Sequence, residues 1–140
     1  MSNKTKDIYW LPTLVLFLIG LYDLLRGFMH TFMLTWSAEH FAKFDMKTVP
    51  MDQIFMLGSF GISNILTGVI YLLICIRARY LSPYVLIIIP LVYLLGMIGI
   101  WTSKVHGTAA FNGQYFMYVY FGICILTFII FIFQKISQKK

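Results

Sequence analysis

Residues 20–30 read GLYDLLRGFMH, and they lie inside an otherwise apolar run over residues 9–34. At about 1.5 Å per helical residue, that run is long enough to cross a hydrocarbon core of about 30 Å. Yet it carries Asp23, Arg26 and His30. With about 100° per residue and Asp23 as zero, His30 falls near about −20°, Arg26 about −60°, Gly27 about 40° and Gly20 about 60°. The five residues share one face about 120° wide, and the opposite side is Leu, Phe, Ile and Val. Ionisable groups within a membrane face a bundle interior or a wet cavity, because hydrocarbon does not solvate them. The run therefore reads as one helix of a bundle, with its polar stripe turned inward.

Three more apolar runs follow, at about residues 53–76, 83–101 and 114–133. No alternation of the barrel type is visible, so strands are excluded. The short connection RARYLS, residues 77–82, makes the second and third helices antiparallel neighbours. The expected fold is all-α: an integral membrane four-helix bundle, up-down-up-down, forming one domain over residues 1–140. Composition agrees. Of 140 residues, 60% are hydrophobic and only 11% charged, with a mean hydropathy of +0.83. A soluble domain carries about 25% charged residues, so water is excluded as the main solvent. The N-terminal run lacks a small-residue cleavage site and exceeds a signal-peptide core in length, so it is read as a retained span.

The net charge of +6 would raise nucleic-acid binding in a soluble protein. Here Lys and Arg gather at the termini and in one loop, with no basic run interleaved with aromatics. They read as topology signals, and nucleic acid is excluded as a partner. Lys4, Lys6, Arg77, Arg79, Lys135, Lys139 and Lys140 fall on one side; Lys43, Lys47 and Lys104 fall on the other, offset by Glu39, Asp45 and Asp52. The excess marks the cytoplasmic face, which predicts both termini inside and the loops at 35–52 and 102–113 outside. Tyr9, Trp10, Tyr80 and Tyr84 are placed at the inner interface, and Trp36 and Trp101 at the outer one. The tail QKISQKK would meet anionic lipid. Pro90 lies mid-span and deprives the Leu86 carbonyl of its partner, predicting a kink. Cys75 and Cys124 sit at different depths, so no disulfide is expected.

The other spans carry matching faces. The second presents Gln53, Gly61, Asn64, Thr67, Gly68 and Tyr71. The third offers Pro90, Tyr93 and Gly96, and the fourth Tyr115, Tyr118 and Gly122. Glycines on such faces let helices approach closely. The polar groups concentrate toward the outer half, where His106 and Asn112 would close a mouth. The first outer loop is long, and Trp36, Phe41, Phe44 and Met46 suggest a short interfacial helix acting as a lid. The i, i+4 pair Glu39 and Lys43 supports a helical turn there.

The leading functional expectation is an outward-facing intramembrane pocket that binds or moves a small polar or anionic ligand, or a proton. Arg26 would hold the anion through its fork of donors, and Asp23 would pair with and counterbalance Arg26. His30, a residue type that titrates near neutral pH, would donate hydrogen bonds together with Asn64 and Tyr118. Gln53, Thr67, Tyr93 and Tyr115 would complete the lining. The alternative is an accessory or assembly subunit whose polar stripe is glue between helices. A third reading is a membrane enzyme acting on a lipid or quinone, with Asp23 and His30 as acid and base. No GxSxG, P-loop or dinucleotide motif supports catalysis, and GSFGIS at residues 58–63 is better explained by helix packing. His30, His40, His106 and Glu39 lack metal-ligand spacing, so neither a metal nor a cofactor is expected. Expected partners are membrane lipid, a small polar ligand, and either a second copy or another protein.

The layout resembles the small four-helix bacterial membrane proteins of the DoxX-like and BphX-like kind, which are short chains with polar residues in the first span. At residue level the resemblance rests on YDLLRGFMH, residues 22–30. It implies a bacterial inner membrane and supplies no site residues.

Overall fold

A computed structural model describes residues 7–104 and 113–138. His106, Asn112, Lys4, Lys6, Lys139 and Lys140 lie outside the described residues. The regular structure of the described residues is all helical, in the order α1 (Trp10–Phe32), α2 (Leu34–His40), α3 (Met51–Arg77), a 3-10 turn (Arg79–Leu81), α4 (Ser82–Thr102) and α5 (Gly113–Ser137). Among the described residues, the four long helices are long and apolar enough to cross a membrane. Their surfaces agree: Phe55, Leu66, Leu95, Ile100 and Leu126 are all more than half exposed. A water-soluble monomer rarely shows so much contiguous apolar surface.

α1 is the hub, touching α2, α3, α4 and α5, with its longest contact along α3. Its buried residues run Pro12, Leu16, Ile19, Gly20, Asp23, Gly27 and His30, a 3–4 spacing that keeps one stripe inward. α3 answers with Gly61, Asn64 and Gly68. These glycines set the approach. A Cβ on Gly27 would lie 2.7 Å from the Gly61 carbonyl oxygen and from the Ile65 nitrogen. One on Gly68 would lie 2.7 Å from the Gly20 oxygen. Gly20 thus faces Gly68 and Gly27 faces Gly61, so the two helices run antiparallel with backbones in contact.

The other half of the bundle is built on a core of Leu16, Ile19, Leu86, Ile89, Tyr120 and Cys124. α5 turns Met117, Tyr120, Cys124, Thr127 and Phe131 toward this core, again at 3–4 spacing; the last four are buried and Met117 packs against the core. At the end holding the N-terminus, Thr13 Oγ1 donates to Ser82 Oγ at 3.3 Å and the Cys75 thiol to the Thr13 carbonyl at 3.4 Å. These bonds tie α1 to the α3–α4 connection. Above this clamp α3 and α4 barely touch, although they are consecutive. Past Pro90, every residue of α4 from Leu91 to Thr102 is exposed.

The fourth long helix runs to Ser137, past the expected end at about residue 133, and the first outer loop also differs from the sequence reading. The first span ends at Phe32, because Met33 leaves helical geometry at φ −114° and ψ 43°. Leu34 and Trp36 therefore belong to α2, which folds back against α1 and α3. The short helix of the first loop exists, but it stops at His40. Lys43 takes a left-handed φ of 56°, so Glu39 and Lys43 do not form a helical i, i+4 pair.

The glycine contacts generate a stability prediction. Ala in place of Gly normally favours a helix by about 1 kcal/mol. Gly27→Ala and Gly68→Ala should instead destabilise the protein by about 1–3 kcal/mol, the usual cost of overpacking. At Gly96, Gly99 and Gly122 a Cβ meets nothing within 4 Å, so alanine there should be neutral or stabilising. Thermal unfolding of the purified variants separates the two groups; equal behaviour would rule out the backbone contact.

Candidate functional site

The polar stripe of α1 is closed by a cluster drawn from three helices. Arg26 Nη2 lies 3.1 Å from Asp23 Oδ1 as an ion pair one helical turn apart. The same nitrogen donates to Asn64 Oδ1 on α3 at 2.8 Å. Nη1 reaches α5 and donates to the Met117 thioether at 3.2 Å. Tyr120, also on α5, donates its hydroxyl proton to Asp23 Oδ2 at 3.2 Å. The guanidinium carbon stands 5.7 Å from the Tyr22 ring centroid and 5.6 Å from that of Phe60, within cation–π range.

The local sequence explains why the cluster forms. Asp23 shares the buried stripe with Gly20 and Gly27, so the α1–α3 approach carries it into the bundle, where it is 2% exposed. Arg26 sits at the flank of that stripe, and its long side chain extends past it, with 16% of the side chain exposed. Asn64 lies midway between Gly61 and Gly68, where the backbones are closest. An isolated charge here would cost several kcal/mol. Pairing and hydrogen bonding offset part of that cost, but not every donor is satisfied. Arg26 Nε and Asn64 Nδ2 are buried with no hydrogen-bond partner among the described residues.

Arg26 also divides two cavities. One, of about 280 Å³, opens toward the α1–α2 corner and is walled mainly by aromatic and sulfur side chains, among them Tyr22, Met29, Phe60, Tyr93 and Phe116. The other, of about 290 Å³, contains Asp23, Asn64, Thr67, Tyr71 and Tyr120, with Ile88 and Val92 of α4 on its far wall. Arg26 and Tyr93 belong to both.

The structure brings together Asp23, Arg26, Asn64 and Tyr93 of the residues singled out in the sequence. Thr67 lines the second cavity, but its hydroxyl donates back to the Ser63 carbonyl at 2.8 Å. His30 touches the first cavity; its Nδ1 is hydrogen-bonded to the buried Ser37 hydroxyl of α2, so the ring is engaged in the α1–α2 corner. Gln53 is exposed. Tyr115 and Tyr118 are exposed as well, at 64% and 66%. Tyr118 is two positions from the inward Tyr120, about 200° around the helix, and so turns away from Arg26. Tyr120 and Met117 are the site residues that the sequence reading passed over. Their signal was available: Met117, Tyr120, Cys124, Thr127 and Phe131 form a 3–4 series of small, soft or polar residues in an apolar helix. Among the described residues, no group of three or more His, Cys, Asp and Glu side chains is placed to hold a metal ion.

No protein-family model, curated protein or solved structure matches this chain.

The Asp23–Arg26 pair generates a double-mutant prediction. Asp23→Asn or Arg26→Gln alone should destabilise the protein by about 3–5 kcal/mol, because each leaves an unpaired buried charge. The combined Asp23→Asn/Arg26→Gln variant should recover most of that loss. The expected coupling is at least about 2 kcal/mol in a thermal or denaturant cycle. Additive losses would mean that the two charges do not depend on one another.

Proposed function

We propose that this chain is a small multi-pass membrane protein that holds a small ligand against Arg26. The observation that carries this reading is that Arg26 lines two cavities at once, one of them walled mainly by apolar side chains. Here the apolar cavity beside Arg26 is of the size and character of small-molecule sites, which combine mostly apolar walls with a few convergent polar groups.

In this reading both termini are cytoplasmic. Arg77, Arg79 and Lys135 then lie at the inner end of the bundle, and the α1–α2 corner faces outward. The cavity beside Arg26 opens toward the outer leaflet, with α2 and Phe41 at its rim. Asp23 holds Arg26 in place and balances its charge, Asn64 fixes one edge of the guanidinium, and Tyr120 steadies the carboxylate. Tyr93 forms the movable wall, since the α4 half that carries it is exposed.

A second reading has its own support. The cluster joins α1 to α3 through Asn64 and to α5 through Met117 and Tyr120, which is what interhelical glue in an accessory subunit would do.

Two experiments test the proposal. Met29 is half-buried in the first cavity, so Met29→Trp should plug it. Compounds from a small-molecule library that raise the unfolding temperature of the wild type should lose that effect in the plugged variant. If no compound stabilises the wild type, or the plugged variant responds equally, the ligand reading fails. Orientation is tested in a Cys75→Ser/Cys124→Ser background with a membrane-impermeant thiol reagent applied from outside. Lys47→Cys should label in intact cells, and Gln138→Cys only after permeabilisation. The reverse pattern would invert the proposed topology.

A further inference from the structure

We infer, building on the ligand reading above, that the molecule held at Arg26 is uncharged and mostly apolar, and presents a hydrogen-bond-accepting oxygen of the ketone or ester kind. This departs from the sequence-based expectation of a small polar or anionic ligand or a proton, and it follows from the inventory of charges and donors at the site.

The charge of Arg26 is already spent. Asp23 lies 3.1 Å away and only 3% of its side chain is exposed, so the pair is close to neutral as a unit. A carboxylate or phosphate binding beside it would place a second anion within the same poorly solvated space. Like charges at that range are strongly unfavourable where the dielectric is low. An anion would have to displace Asp23 from Arg26, and Asp23 is held by Tyr120 on its other oxygen.

The donor of the cluster with the poorest acceptor is Nη1 of Arg26. Nη1 of Arg26 has settled on a thioether sulfur, a weak acceptor. Nε of Arg26, Nδ2 of Asn64 and Oδ1 of Asp23 have no hydrogen-bond partner among the described residues, but all three are enclosed, which leaves Nη1 as the donor a ligand would meet. The remaining carboxylate oxygen, Asp23 Oδ1, stands against the guanidinium. A carbonyl oxygen replacing the Met117 sulfur would give Nη1 a stronger bond and add no charge. The rest of the ligand would meet the rings of Tyr22, Phe60, Tyr93 and Phe116 and the thioether of Met29, surroundings suited to a flat apolar body. The second cavity borders Ile88 and Val92, which are 52% and 58% exposed on the lipid-facing side of α4. α3 and α4 leave this side uncovered, so a bilayer-soluble molecule has a lateral route to Arg26.

Three naphthalenes of matched size test the inference: 2-acetylnaphthalene, ionised 2-naphthoate and 2-ethylnaphthalene. Binding is measured on the full-length protein in lipid nanodiscs at pH 8, where an ordinary histidine is neutral, with empty nanodiscs and the Met29→Trp protein as blanks. The ketone should bind at least tenfold more tightly than either analogue. Naphthoate binding as tightly as the ketone would show that the cluster accepts an anion. Ethylnaphthalene binding equally would show that no acceptor is read. Either result overturns the inference and leaves the cavity as a ligand site. If none of the three binds, the inference falls; the ligand reading survives only if library compounds still stabilise the wild type and not the plugged variant. A second variant probes the cause. Asp23→Asn removes the balancing charge, so naphthoate should gain at least tenfold and overtake the ketone. A folded Asp23→Asn protein without that gain would overturn the charge argument. Should Asp23→Asn not fold, the wild-type comparison decides alone.

Discussion

The contact between the backbones of α1 and α3 at Gly27 and Gly61 sets the geometry of everything above it. With no side chain on either residue, the helices meet where a methyl group on Gly27 would stand 2.7 Å from the facing carbonyl oxygen. Gly20 and Gly68 repeat the arrangement two turns away. Four glycines at matching seven-residue spacing thus form an antiparallel seam, and the residues between them are carried to a depth that their chemistry would not choose. Asp23 lies between Gly20 and Gly27, and Asn64 between Gly61 and Gly68. Both are buried at this seam, at 2% and 5% exposed. In hydrocarbon, where apolar surface provides little drive for helices to associate, close backbone packing is the main attraction available.

Burying Asp23 creates the need for Arg26. A carboxylate 2% exposed demands a counter-charge, and the sequence places it one turn on, where it can pair without leaving its own helix. The pair then recruits the rest of the bundle. Asn64 takes one edge of the guanidinium, and α5 supplies Tyr120 to the carboxylate and Met117 to the guanidinium. α4 contributes no polar group to the pair, and this asymmetry shapes the site. Three helices hold the charges, while the fourth stands off and encloses space beside them.

Much of this was legible in the sequence, for a physical reason. A spanning helix is encoded by length and apolar content, which survive without any knowledge of neighbours. The four long helices and the inward face of α1 follow from period alone, as does the pairing of Asp23 with Arg26. The matching glycines of α1 and α3 were visible too. The fourth helix was harder to read. In an apolar helix, tyrosine is as much at home at a lipid interface as in a core, so Tyr115 and Tyr118 looked as eligible as Tyr120. The deciding signal was the 3–4 series Met117, Tyr120, Cys124, Thr127 and Phe131, whose members are chemically diverse. Polarity alone pointed to the wrong face of α5. The end of α1 was obscured for a related reason: Met33 and Leu34 are apolar, and nothing in hydropathy marks a break that comes from the backbone of Met33 and from the Ser37–His30 bond that closes the corner.

Pro90 supplies the remaining constraint. It lies one turn beyond Leu86, which is fully buried, and it removes the hydrogen bond that would hold the Leu86 carbonyl. Before it, α4 is locked into the core by Leu86 and Ile89. After it, every residue is exposed, and Tyr93 meets Phe121 in a tilted ring pair at 5.0 Å between centroids. A bundle sealed along its whole length would have squeezed out the space beside Arg26. One loosened at both ends would not have buried Asp23. Both halves of α4 border the second cavity, Val85, Ile88 and Ile89 before the proline and Val92 and Tyr93 after it, but only Tyr93 also reaches the first. The bonds of the cluster thus tie α1, α3 and α5 together, while its side toward α4 is bordered by a cavity.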